Sequence, residues 1–411
     1  MKKKNICVVG LGYIGLPTAA LLASKGYKVN GVDINESIVS KINKGEIHII
    51  EKDLSALVKL AVKNGKLEAF NKIQKSDIYI ICVPTPLNKN SNIPLPNIEY
   101  VSSAFVSIAS FIKPNDLIIL ESTSPVGTTE RMKKILVDNG ANLTDVHIAY
   151  CPERVLPGKI ITELVENDRI VGGLSPLATK KVADFYRLFV NGKIFETDTK
   201  TAEMCKLTEN SFRDLNIAFA NELSMLCDNQ GIDVWKLIKL ANKHPRVNIL
   251  HPGTGVGGHC IAVDPWFIVS MDKKNTKLIR SAREVNDNKT KWVIDKIKNA
   301  AIKHISKTGI KPKIMCLGLT FKPDIDDLRE SKALQVAQTL LSDGYNILAI
   351  EPNIQSYKNL TLLNFSSSNF FNLINEVDII CILVKHKEFL QPKIKNELMK
   401  RGAFDFCGVL N

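Results

Sequence analysis

The sequence predicts an α/β protein, two units of alternating strands and helices joined by a helical stretch. Three observations carry that expectation. Apolar runs of strand length alternate with helix-length segments in residues 1–196 and again in 306–411, which is the pattern of parallel sheets. Between them, in 197–305, long helices take over, the first of them, Thr199–Gln230, without a Gly or Pro. At 411 residues the chain also exceeds the size at which one hydrophobic core usually stops growing.

The first unit opens with an apolar strand over 5–9, then Gly10-x-Gly12-x-x-Gly15, a helix from Leu16 to Lys25, and a strand from Val29 to Val32 that ends in Asp33. Strand before, helix after and an acid at the end of the next strand make this a Rossmann dinucleotide fingerprint. Gly10 permits the tight turn, Gly12 lets backbone reach a pyrophosphate, and Gly15 packs helix on strand. The helix N-terminus adds unpaired N–H groups and the positive end of its dipole. Asp33 suits ribose hydroxyls and repels a 2′-phosphate, which favours NAD over NADP. Further strands run over Asp77–Val83, Asp116–Leu120 and Val146–Tyr150. Ligands of open parallel sheets lie just past such strand ends, so Thr85 and Thr123 are either cofactor neighbours or plain turn residues. The loop Cys151–Gly158 places Glu153 and Arg154 as candidates for chemistry and substrate contact.

In the middle segment, Lys206, Asn210 and Arg213 follow at spacings of four and three and share a helix face. That face is either a solvated stripe or a holder for a developing alkoxide. A helix over Val234–Asn242 leads to His244 and Arg246 on an irregular segment, where binding residues concentrate. Then comes Gly253-Thr-Gly-Val-Gly-Gly-His-Cys260, followed by Asp264. Glycines let backbone approach a ligand, and Cys260 is either a nucleophile or a small hydrophobe. A helix over Lys277–His304, with its charged residues on the outer face, leads to the last unit. There strands at Lys313–Leu319, Ile347–Ile350, Val377–Val384 and Ala403–Phe406 predict a second, smaller parallel unit. Its first turn, Thr320-Phe321-Lys322-Pro323-Asp324, lacks the fingerprint, so no second NAD site is implied. Phe321, Lys322 and Arg329 suit a nucleotide diphosphate.

The formal charge of +13 does not imply nucleic-acid binding. The lysines are scattered, often opposite acids on one helix as in Lys289–Lys298, and read as a solvated surface that attracts a polyanionic small ligand. No apolar run is long enough for a membrane span, and Met1–Lys4 does not open a signal peptide. Nine cysteines without a Cys-x-x-Cys pair indicate a cytoplasmic, reduced protein with no metal site.

With these residues in place the chain resembles the nucleotide-sugar 6-dehydrogenases, the family of UDP-glucose and UDP-N-acetylhexosamine dehydrogenases. The resemblance runs along essentially the whole chain, through Gly10–Gly15, Val83–Pro86, Cys151–Arg154, Lys206–Arg213, Gly257–Cys260, Phe321–Asp324 and Leu328–Ser331. Gly-Gly-His-Cys260 and His244-Pro-Arg246 look like the branch acting on UDP-N-acetylmannosamine, since UDP-glucose enzymes typically carry Gly-Gly-Ser-Cys. Thr254, where Pro is expected, departs from the pattern.

The resemblance implies a central dimerisation region, a UDP-binding C-terminal unit, and a homodimer or dimer of dimers. It also implies a four-electron oxidation of the sugar C6 by two NAD, for surface polysaccharide synthesis. Cys260, Lys206, Asn210, Asp264 and Glu153 would be catalytic, with the base that takes the first proton left open among Lys206, Asp264 and a water. His259 would lower the thiol pKa or pack the loop. Substrate would be held by Arg154, Val155, Lys206, Asn210, Arg213, His244, Arg246, Gly257, Phe321 and Lys322. The cofactor would meet Tyr13, Ile14, Asp33, Thr85, Thr123 and Arg329. The rival readings are UDP-N-acetylglucosamine or UDP-glucose as substrate, and an NAD-binding sensor without catalysis.

Overall fold

The computed structural model describes residues 4–411 except Ile50, Lys52, 89–92, Pro157, Lys358, Asn359, Thr361 and Asn364. Met1–Lys3 and Pro157, quoted above, lie outside the described residues. The chain forms two compact units, Met1–Glu209 with Trp266–Met271, and Asn210–Pro265 with Asp272–Asn411.

In the first unit, β1 (Asn5–Val9), α1 (Gly15–Ser24), β2 (Lys28–Val32), α2 (Glu36–Asn43), α3 (Leu54–Lys63) and β3 (Leu67–Phe70) form one half. The other half has β4 (Ile78–Ile81), the short pair β5 (Leu87–Asn88) and β6 (Leu95–Pro96), α4 (Glu99–Ile108), β7 (Leu117–Leu120), α5 (Thr128–Asp138) and β8 (His147–Tyr150). Then follow α6 (Ile160–Glu166), β9 (Arg169–Gly173), α7 (Pro176–Tyr186) and β10 (Ile194–Asp198). The sheet order is β10-β9-β8-β7-β4-β1-β2-β3. Its pairs are parallel except β8 with β9. The strand order reverses between β1 and β4, which is where a doubly wound sheet opens its ligand crevice.

Strand periodicity explains the two cores of this unit. Alternate residues leave opposite faces of a sheet, so Ile6, Val8, Ile80 and Ile119 enter one apolar cluster, while Cys7, Val9, Tyr79, Ile81 and Ile118 enter the other. With both faces covered, the strands read as continuous apolar runs, which is how they were legible in the sequence. Strands β9 and β10, with Arg169 at the start of β9, escaped the sequence reading because charged residues flank them.

The remaining elements are α8 (Thr199–Gln230), whose residues from Asn210 onward belong to the second unit, α9 (Val234–Ala241), α10 (Asp264–Met271) and α11 (Lys277–Thr308). After them come β11 (Lys313–Leu317), α12 (Lys332–Ser342), β12 (Asn346–Ile350), β13 (Leu362–Leu363), α13 (Ser367–Leu373), β14 (Ile379–Ile382), α14 (Pro392–Lys400) and β15 (Phe404–Asp405). The second sheet is wholly parallel, in the order β13-β12-β11-β14-β15.

One expectation for α11 is corrected. Arg283, Asn286, Lys289 and Thr290 are buried rather than on a solvated face. The Lys289 Nζ donates to Ser224 Oγ at 2.7 Å and stands 3.8 Å from the centre of the Trp292 ring. Its surroundings are apolar enough that burial pushes the amine down to about 7, against the pull of Asp228. The helix is long enough to bury one side along α8 while Lys291 and Lys298 stay at the surface or half-buried.

Candidate active site

Predicted site residues occur in each of the two units. In the first, Gly10 has φ +91°, and a Cβ there would stand 2.8 Å from the Cys82 carbonyl oxygen of the neighbouring β4 end. A Cβ on Gly15 would fall 1.8 Å from the Gly10 oxygen. A Cβ on Gly12 would meet no atom within 4 Å. The first and third glycines are therefore required by the protein's own packing, and the second borders open space beside the helix start. α1 begins there with no side-chain cap, the arrangement that suits a pyrophosphate. Asp33 ends β2 with one carboxylate oxygen accepting from Leu11 N–H at 3.0 Å and the other from Asn35 N–H at 2.9 Å. Across the crevice, Thr85 Oγ1 donates to the Thr123 carbonyl at 2.7 Å, so these two predicted neighbours form one unit at the ends of β4 and β7. The residues present fit a dinucleotide.

This contrast yields a prediction. Gly15→Ala should lower the melting temperature of the unliganded protein, whereas Gly12→Val should leave it within a degree or two and weaken NADH binding at least about 100-fold. Fluorescence titration and thermal unfolding check both. Tight NADH binding by Gly12→Val would show that the open space is not the phosphate site.

The loop after β8 brings Glu153 onto a buried charged tier. One Glu153 oxygen accepts from Arg154 N–H at 2.7 Å and the other from Arg169 Nη2 at 3.1 Å. Arg169 also approaches Glu121 at 3.8 Å and Cys151 Sγ at 3.9 Å, while Tyr186 Oη donates to Glu121 at 2.6 Å. Burial raises the Glu121 pKa, against the lowering by Arg169. Burial also pushes the Cys151 thiol up to about 12, so that cysteine is an inert core residue. Arg154 is gripped by Glu209 at 2.8 Å and by the Asp168 carbonyl at 3.0 Å. Val155 packs against the core below. Lys206 sits half-buried on the first-unit part of α8.

In the second unit, Asn210 Nδ2 donates to Asp264 Oδ2 at 2.6 Å, joining two predicted catalytic residues. Asp264 is buried and starts α10, and its N–H donates to the Cys260 carbonyl at 2.8 Å. Of the nine cysteines, Cys260 alone is exposed. Gly257 and Gly258 pass close to the turn after β11. A Cβ on Gly257 would lie 2.5 Å from the Glu330 carbonyl oxygen and 3.1 Å from Phe321 Cβ, and one on Gly258 2.9 Å from the Phe321 ring. The predicted Phe321 is thereby brought to the thiol loop, with Lys322 next to it. Arg329 Nε donates to both Asp327 oxygens at 2.9 Å. Although burial opposes it, this pairing holds Asp327 below the usual carboxylate range. Arg213 is exposed on α8. His244 and Arg246 are exposed on a segment closed by Asn242, which bonds Ile249 through both ends of its amide, at 2.9 and 2.7 Å.

Glu351 ends β12 as Asp33 ends β2, but its carboxylate is buried and already filled. It accepts from Leu319 N–H at 2.7 Å and Thr320 N–H at 3.1 Å and meets His386 Nε2 at 3.1 Å. The sequence reading missed Arg169, Glu121 and Tyr186, as well as the polar groups Asp214, Asn221 and Asn286 behind the thiol loop. Glu121 carried a signal, an acid at the end of an apolar strand run.

The NAD binding domain of the UDP-glucose/GDP-mannose dehydrogenase family matches residues 4–190, its central domain 200–288 and its UDP binding domain 315–411. A UDP-N-acetyl-D-mannosamine dehydrogenase of Campylobacter jejuni is 53% identical over 404 residues, 94% of this chain and 96% of that protein. An NDP-N-acetyl-D-galactosaminuronic acid dehydrogenase of Ralstonia nicotianae is 49% identical over 99% of this chain and 96% of its own length. The structure of a UDP-D-ManNAc dehydrogenase from Pyrococcus horikoshii superposes with a TM-score of 0.87 at 37% identity, covering 99% of this chain and 96% of that one. Matched by its family from the glycine turn to the last strand, the chain belongs to the UDP-glucose/GDP-mannose dehydrogenases, NAD-dependent oxidoreductases of nucleotide sugars.

Proposed function

We propose that this enzyme oxidises UDP-N-acetyl-D-mannosamine at C6 to the uronate, for surface polysaccharide synthesis. The observation that carries the reaction is the exposed Cys260 thiol, on a glycine loop whose far end, Asp264, is held by Asn210. The hexosamine reading is supported by the 53% identity to the Campylobacter enzyme. NAD supplies the hydride acceptor for each of the two oxidations.

In the first step the C6 hydroxyl gives up its proton to a base, Lys206, Asp264 or an ordered water, while the C6 hydride leaves. Lys206 and Asn210 stabilise the alkoxide, as an ammonium and an amide N–H do. The Cys260 thiolate then adds to the aldehyde carbon, giving a thiohemiacetal whose C–H leaves as the second hydride. The thioester is cleaved by a water that Glu153 orients, regenerating the thiol. Arg154, Val155, Arg213, His244, Arg246, Gly257, Phe321 and Lys322 hold the substrate in this reading. Gly10, Gly12, Tyr13, Ile14, Gly15, Asp33, Thr85, Thr123 and Arg329 hold the cofactor.

The domain limits 1–196, 197–305 and 306–411 and a homodimer or dimer of dimers belong to the same proposal. Phe212, Phe219 and Leu226, 69%, 51% and 57% exposed, stand seven residues apart on α8 and favour a partner copy there. Nine cysteines outside any disulfide favour the cytoplasm. No helix among the described residues is long and apolar enough to cross a membrane.

The test is turnover with NAD and each of UDP-N-acetylmannosamine, UDP-N-acetylglucosamine and UDP-glucose, counting NADH per sugar. Two per UDP-N-acetylmannosamine, with the highest kcat/KM for that sugar, is the expected result. A higher kcat/KM for UDP-glucose would overturn the substrate assignment, and no NADH at all would leave a binding protein.

A further inference from the structure

Behind the thiol loop, α8 and α11 meet along a seam that is polar where helix interfaces are usually apolar. Asp214, Asn221, Arg283, Asn286 and Thr290 are all buried there. Arg283 Nη1 donates to Asp214 Oδ1 at 2.6 Å, and Asn286 Nδ2 donates to the same oxygen at 2.8 Å. Asn221 Nδ2 in turn donates to Asn286 Oδ1 at 2.8 Å. The chain of bonds ends on the loop backbone, for Asn221 Oδ1 accepts from Gly253 N–H at 2.9 Å. A second tie comes from Thr290, whose hydroxyl donates to the Thr254 carbonyl at 2.9 Å. Gly255 passes so near that a Cβ on it would lie 2.4 Å from Thr290 Oγ1.

Burying such a network is worthwhile for stability only marginally, since well-packed apolar residues do as well or better. What this one supplies is a fixed backbone position. Asn210 and Asn221 are eleven residues apart on α8, three helical turns that return to within about 20° of the same face and span about 16 Å. Asn210 holds the loop's far end through Asp264, and Asn221 holds its near end through Gly253. Cys260 lies between the two anchors.

We propose that α8 and α11 together set the position of the Cys260 loop from both ends, with Asn221, Asn286 and Thr290 as positioning residues for the thiol step. The proposal rests on the reading of Cys260 as the nucleophile. These side chains do not touch substrate; they act through the Gly253 and Thr254 backbone. Releasing the near anchor lets the thiol wander from the aldehyde while the alcohol oxidation, which needs no thiol, continues.

The variants are Asn221→Ala, Thr290→Val, which keeps the shape of threonine without its hydroxyl, and Thr290→Ser, which restores the donor. In Asn221→Ala and Thr290→Val, acid formation should fall about 10- to 100-fold. The first hydride transfer, read by stopped flow, should stay within about threefold, and aldehyde trapped with semicarbazide should pull the NADH count from two towards one per sugar. KM for NAD should hold, and Thr290→Ser should recover most of the acid formation. Amide exchange over 253–264 should quicken about tenfold or more while α8 and α11 keep their protection.

Two NADH per sugar at an undiminished rate in both variants would overturn the proposal. So would an equal loss in both oxidations with a lowered melting temperature and no recovery by Thr290→Ser, which marks a merely structural seam. The exchange readout separates this idea from the one beneath it. If the Cys260→Ala variant still makes acid, the nucleophile reading fails, whereas unchanged exchange over 253–264 in Asn221→Ala and Thr290→Val refutes the anchoring itself.

Discussion

Cys260→Ser should lower acid formation at least about 10³-fold while the first NADH of each turnover is still made. A serine hydroxyl is almost wholly protonated at neutral pH and adds poorly to an aldehyde, whereas a thiolate adds readily and leaves readily. Without the thiohemiacetal the aldehyde carbon carries no alcohol-like C–H in a held geometry, so the second hydride has no proper donor. The aldehyde should therefore escape and be trappable by an amine. The position makes the test clean. Cys260 is exposed, so the exchange removes no core contact and the melting temperature should move little. Acid formed at the rate of the unmodified enzyme would take Cys260 out of the mechanism.

Lys289→Met should stabilise the protein, and by an amount that depends on pH. The amine is buried against Trp292, and burial brings it from the ordinary 10.5 down to about 7. Below about pH 7 it is protonated in both folded and unfolded chains, and the fold bears the full cost of the buried charge. Between about 7 and 10.5 the unfolded chain keeps the proton that the folded one has lost, so stability rises with pH across that window. At about 1.4 kcal/mol per pH unit the effect is on the order of 5 kcal/mol. Methionine fills similar volume without the charge. It leaves Ser224 satisfied, since that hydroxyl donates to the Asn221 carbonyl at 2.6 Å. The variant's melting temperature should exceed that of the unmodified protein by roughly 5–10 °C at pH 6, and the gap should close towards pH 10. A gap that does not change with pH would show that Lys289 does not titrate in this range.

Much of the site was legible because its parts are local. Gly10, Gly12 and Gly15 with Asp33 announce a nucleotide turn through spacing alone, and the glycines before Cys260 mark a loop built for close approach. The same is true of α8, whose limits follow from a run without Gly or Pro. The buried tier beneath Glu153 was not legible. Arg169 belongs to β9, which pairs antiparallel to β8, and only that register carries its guanidinium under Glu153 and beside Glu121. Charged residues on a predicted helix read as surface by default, as those of Lys277–His304 did. The structure buries Arg283 on Asp214, 69 positions away.

The sequence by itself determined the fold class, the dinucleotide turn, the long central helix and the glycine loop that ends in Cys260. In each case the cause is short-range: backbone freedom at glycine, apolar periodicity of two or 3.6 residues, and the stop signals that end an element. Tertiary structure decided which polar residues are solvent-facing and which are buried partners. It joined Asn210 to Asp264 and Asn221 to Gly253, and put Lys289 against Ser224 of α8 rather than in water. Those outcomes depend on how two helices distant in sequence face one another. A charged or amide side chain shows the same pattern in sequence whether it meets water or an exact complement from another helix, and only packing distinguishes the two.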